Sequence, residues 1–105
     1  MTEDDLLGAI LDLCRLKHLH VHHCRPAKTE RGWRTPIQGE PGFVDMVIVG
    51  DNGVLFRELK ADRGRLSAEQ QQWLNRLAFA RADAAVWRPA QLRDGTIVDQ
   101  LRAVA

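Results

Sequence analysis

The chain has 105 residues, 45% of them hydrophobic and 28% charged, with a formal net charge of +1. That length supports one hydrophobic core and not two, and the composition is that of an ordinary globular domain rather than a disordered or fibrous chain. No apolar run reaches membrane-spanning length, and the start Met1-Thr2-Glu3-Asp4-Asp5 is acidic where a signal peptide is basic. Cys14 and Cys24 make no disulfide framework, so a cytoplasmic protein with reduced thiols is expected, and no membrane partner.

A first helix is expected from about Glu3 to Lys17, with Thr2 as N-cap and Leu6, Leu7, Ile10 and Cys14 at helical spacing. Glu3 shares the inward face of that stripe at its first turn. It reads either as a carboxylate favoured by the helix dipole or as a metal ligand. A first strand is expected over Leu19 to Cys24, where alternation puts His18, His20 and His22 on one face and His23 on the other. Ligands spaced along one extended strand lie too far apart to close a tetrahedral zinc shell by themselves.

From Arg25 to Gly42 there are three prolines, three glycines and no sustained period, so a long loop is expected. Between Arg15 and Gly39 stand six basic residues, Arg15, Lys17, Arg25, Lys28, Arg31 and Arg34, against one acid, Glu30; six minus one leaves a local excess of +5. Such a stripe reads as a phosphate-tracking surface or as a solvated basic loop. Trp33, in its middle, reads as packing or as a base-stacking platform.

A hairpin follows, Val44–Val49 and Val54–Lys60, around Asp51-Asn52-Gly53. A two-residue Asn52-Gly53 turn puts Asp45 opposite Lys60; a four-residue loop from Gly50 to Gly53 puts it opposite Glu58. In both registers Asp45, Glu58 and Lys60 share one face. Two carboxylates and an ammonium on an apolar hairpin are costly unless paired or bound to a cation. The second helix begins after Ser67 with a capping-box pattern to Gln70 and buries Trp73, Leu74 and Leu77. Ala84–Trp87 is a fourth strand ended by Arg88-Pro89, and Ile97, Val98 and Leu101 mark a last helix. The expected fold is α/β in the order α-β-β-β-α-β-α, a mixed sheet flanked by helices within one domain, residues 1–105.

Four blocks, Gly42-Phe43-x-Asp45, Glu58-Leu59-Lys60, Gly64-x-Leu66-Ser67-x-Glu69-Gln70-x-x-Trp73 and Val86-Trp87-Arg88-Pro89, resemble the viral-type replication and repair nuclease (VRR-NUC) domain. That family belongs to the PD-(D/E)xK phosphodiesterases, and the resemblance covers nearly the whole chain. Val44 stands where the family usually has proline, and Leu7 where it tends to have glutamine. The resemblance implies a restriction-endonuclease-like core and a Mg²⁺-dependent DNA endonuclease, with Mn²⁺ able to substitute. It implies Asp45, Glu58, the Leu59 carbonyl and Glu3 around the metal, and Lys60 beside the attacking water. Asp45 and Glu58 are hard oxygen ligands suited to such cations. Gln70 reads both as a structural cap and, by analogy, as an active-site group. Arg25, Lys28, Arg31, Arg34 and Arg88 are candidate DNA contacts. Members of the family resemble bacterial or phage enzymes acting on branched DNA, including four-way junctions, in the bacterial or phage-infected cell. Cutting both strands of a junction needs two active sites, so a homodimer is expected. The rival expectations are a nicking or restriction-type nuclease on linear duplex and a non-catalytic nucleic-acid-binding module.

Overall fold

The computed structural model describes residues 1–24, 27–29, 32–34 and 38–105, with 27–29 and 32–34 as backbone only. Helix α1 (Glu3–Leu16) opens with a capping box. The Thr2 hydroxyl accepts from the Asp5 N–H at 3.1 Å, and the Asp5 carboxylate accepts from the Thr2 N–H at 2.8 Å. Leu6, Ile10 and Cys14, one turn apart each, form its buried stripe. The helix ends at His18, whose φ of 57° is left-handed. The His18 N–H donates to Arg15 O and the Leu19 N–H to Cys14 O, the two bonds of a Schellman motif. His18 is therefore the turn residue of a helix cap and not a strand residue, and the strand that follows, β1, is His20–His23.

Strands β2 (Ala27–Thr29) and β3 (Gly32–Arg34) pair as a separate antiparallel ribbon inside the stretch expected to be loop. The main sheet is β1, β4 (Met46–Gly50), β5 (Gly53–Leu59) and β6 (Asp83–Trp87), in that spatial order. β1, β4 and β5 are antiparallel neighbours, and β5 and β6 are parallel. Helix α2 (Ala68–Phe79) makes the crossover that a parallel pair requires. A short α3 (Pro89–Arg93) precedes α4 (Thr96–Val104). The result is an α/β fold, a four-stranded mixed sheet with flanking helices. Apart from the ribbon and α3, the elements follow the expected order.

The core lies between the sheet and helices α1 and α4, where Leu6, Ile10, Met46, Ile48, Leu55, Leu59, Trp87, Ile97 and Leu101 are all at most 1% exposed. Arg57 lies on this apolar face with Leu55 and Leu59. Its guanidinium donates to Asp83 O at 2.6 Å, the Asp83 carboxylate at 2.8 Å and Gln100 Oε1 at 3.0 Å, 5.0 Å from the centre of the Trp87 ring. The same Gln100 oxygen accepts from Trp87 Nε1 at 2.7 Å. Among the described residues no helix is long and apolar enough to cross a membrane.

Candidate active site at the open end of the hairpin

The β4–β5 ladder runs from Gly50↔Gly53 to Met46↔Arg57, so its continuation sets Asp45 opposite Glu58. Of the two registers the sequence allows, this is the one with the carboxylates face to face. The turn itself is Asp51-Asn52, neither of which has positive φ, and not Asn52-Gly53. What selects it is a tertiary contact. The Asn52 N–H donates to Val104 O at 2.9 Å and its side-chain amide to Ala105 O at 2.6 Å. Gly50 lies so close to Val104 that a Cβ there would overlap the Val104 carbonyl.

At the other end of the hairpin, Asp45 is held by the Leu59 N–H, which donates to its Oδ2 at 2.8 Å. Glu58 is 1% exposed. Its Oε1 accepts from Gln70 Nε2 at 2.9 Å, while its Oε2 is buried without a hydrogen-bond partner. Burial, first, and then Asp45 at hydrogen-bonding distance push the Glu58 pKa from 4.5 up to about 8, with Lys60 acting in the opposite direction. Glu3 reaches the same site from the first turn of α1. Its pKa is raised by burial and by Asp45, against the pull of Lys60 and His23. Thus Glu3, Asp45, Glu58, Lys60 and Gln70 are brought into one neighbourhood by α1, the hairpin and α2.

Gln70 makes two side-chain contacts at once. Its Oε1 accepts from the Ser67 N–H at 2.9 Å, closing the α2 capping box, and its Nε2 reaches Glu58. The approach to Asp45 is fixed to the same helix. Gly42, at φ 95°, packs where a Cβ would lie 2.6 Å from Glu69. Phe43 meets Trp73 edge-on at 5.0 Å, and Trp73 Nε1 donates to Pro41 O at 3.0 Å. These contacts tie the segments around Gly42, Glu58 and Gln70 to one another.

Other expectations fare differently. Arg88, a candidate phosphate contact, directs Nη1 to Ala61 O and Gly64 O, both at 2.7 Å, and so holds the loop after β5. Arg25 and Arg31 lie outside the described residues; Lys28 falls on β2 and Arg34 on β3, whose side chains are likewise outside them. His20 and His22 are exposed on one sheet face, and half-buried His23 lies on the other, beside Glu3. Arg57 was not singled out in the sequence, although alternation with Leu55 and Leu59 places it on the apolar face.

Among the described residues no three His, Cys, Asp or Glu side chains gather as a ready metal-holding group. The donor set nevertheless fits a hard divalent cation. A buried carboxylate with one oxygen lacking a donor, beside a second carboxylate, calls for either a proton or a cation. Comparison with protein-family models, with curated proteins and with solved structures gives no match in any of the three.

Proposed function

We propose that this chain is a Mg²⁺-dependent DNA endonuclease of the VRR-NUC type, with a restriction-endonuclease-like core, that cuts branched DNA in bacterial or phage replication and repair. The observation that carries the reading is buried Glu58, one oxygen of which has no hydrogen-bond partner, beside Asp45 and within the influence of Lys60. Asp45 and Glu58 would hold the cation, with the Leu59 carbonyl and Glu3 as further oxygen donors. When bound, the cation supplies charge neutralisation at the phosphate and a more acidic water. Gln70, by donating to Glu58 Oε1, fixes that side chain and leaves Oε2 as the free donor atom. The Leu59 N–H holds Asp45 in the same way from the strand. Lys60 orients the attacking water with its ammonium donors and stabilises the negative charge that grows on the phosphoryl oxygens. In this reading the protein acts as a homodimer, whose two-fold symmetry supplies the second cut of a four-way junction.

The test is a cleavage panel of linear duplex, flap, fork and four-way-junction DNA, with Mg²⁺ and with chelator. Metal-dependent cutting with preference for a branched substrate is expected, and Asp45→Asn and Glu58→Gln should each abolish it. Cleavage that persists in both variants would overturn the assignment. Equal cutting of linear duplex would make the enzyme a nicking or restriction-type nuclease.

A further inference from the structure

The loop between β5 and α2 is unusually well tethered. The Gly64 N–H donates to Ala61 O at 3.0 Å, and Arg88 bridges Ala61 O and Gly64 O. Asp62 accepts from the Ala90 N–H at 2.9 Å and pairs with Arg93 at 3.0 Å, so its charge is met. A Cβ on Gly64 would lie 3.4 Å from that of Lys60, so the turn folds back against the candidate catalytic lysine. The two basic side chains of this loop, Arg63 and Arg65, are both exposed. Neither forms an ion pair among the described residues.

We propose that Arg63 and Arg65 grip phosphates of the DNA strand flanking the one cut at Lys60. The proposal rests on the nuclease reading and adds a substrate contact to it. Guanidinium groups match phosphate oxygens as two-pronged donors, and a backbone already ordered by Arg88 and Asp62 loses little freedom on binding. Arg88 thus serves DNA at one remove: it shapes the loop that presents the other two arginines. The acidic neighbour Asp62 does not oppose them, because Arg93 and the Ala90 N–H hold it.

Binding is measured first, by anisotropy of a labelled DNA duplex with Ca²⁺ in place of Mg²⁺, across a salt series. In Arg63→Ala/Arg65→Ala the log–log salt slope should fall by about 0.9 per contact, about 1.8 for two. Arg63→Lys/Arg65→Lys should restore most of it, and Arg102→Ala, on the exposed side of α4 near the end that packs on the hairpin turn, should leave it unchanged. Cleavage with Mg²⁺ should show a raised KM and an unchanged kcat in the alanine double variant. An unchanged slope, or a wild-type protein that does not bind DNA, overturns the proposal. A wild-type protein that binds with this arginine-dependent slope yet never cuts removes the nuclease reading and leaves the phosphate contact standing.

Discussion

Glu58 has one oxygen satisfied by Gln70 and one satisfied by nothing, and its ionisation carries the consequence. Because its folded pKa is raised to about 8 from 4.5, the native state binds the proton more tightly than the unfolded chain does. The stabilisation is complete below about pH 4.5 and is lost as pH rises through 8. Without metal the wild-type melting temperature should therefore fall between pH 5 and pH 8. Glu58→Gln should flatten that fall, since its amide donates permanently to Asp45. A cation favours the charged form, so Mg²⁺ should raise the wild-type melting temperature more at pH 8 than at pH 5 and leave Glu58→Gln unmoved. Asp5, Asp62 and Asp94 have lowered pKa values and act only at more acidic pH, outside this window. Lys60 answers to a different measurement. Lys60→Ala should retain metal and DNA binding and lose turnover; lost metal affinity in calorimetry with unchanged turnover would contradict its role. On the other sheet face, Arg57→Ala should destabilise by about 2–4 kcal/mol in urea denaturation, chiefly through the cavity it leaves. Arg57→Met should recover most of that, because a buried ion pair is often replaceable by an apolar side chain of similar volume. An equal loss for Met and for Ala would show that the guanidinium and its hydrogen bonds, not its volume, hold the sheet there.

At the scale of elements, two helices end on residues other than glycine in the left-handed region, His18 at φ 57° and Arg81 at φ 68°. The Ala82 N–H donates to Leu77 O and the Arg81 N–H to Ala78 O, so α2 repeats the cap of α1. A Cβ in that conformation costs roughly 1 kcal/mol. His18→Gly and Arg81→Gly should each stabilise by about 0.5–1 kcal/mol and add when combined; a loss of stability in either would point to a contact of the native side chain. The cap of α1 also shows what the sequence hides. His18 continued an alternating histidine run, and only the bonds from Leu19 and His18 back to the helix distinguish cap from strand. The hairpin was legible from its apolar alternation and its Asp-Asn-Gly punctuation, whereas its register was not. That was decided by Asn52 docking on the end of α4, a contact remote in sequence. The contacts of Arg88 were hidden for the same reason, since the carbonyls it holds belong to a loop more than twenty residues earlier. By contrast, the Ser67–Gln70 box and the Thr2 cap rest on neighbours along the chain, and both formed as the local pattern dictates.

For the whole molecule, the sheet is the frame that lets α1, the hairpin and α2 each deliver one part of the site, and no single element holds it. Gly42→Ala should therefore disturb the site as well as the fold, because a Cβ there strikes the first turn of α2, which carries Gln70. Its expected signature is a lower melting temperature together with weaker metal-induced stabilisation. The proposed dimer is checked by light scattering, which should report about twice the 11.9 kDa chain mass, with junction nicks in symmetric pairs. A strictly monomeric active enzyme would leave junction cutting without its second centre.

The two facing carboxylates sit at the end of the β4–β5 ladder farthest from its turn. A hairpin that zips from Asp51-Asn52 meets them last, after the pairs from Gly50↔Gly53 to Met46↔Arg57 have formed. At a pH above about 8, where Glu58 is charged, a transition state that precedes this pairing would feel little of their repulsion. Neutralising Glu58 should accordingly slow unfolding and leave the folding rate nearly unchanged, so that the metal, by quenching the same repulsion, lengthens the lifetime of the native state rather than hastening its formation.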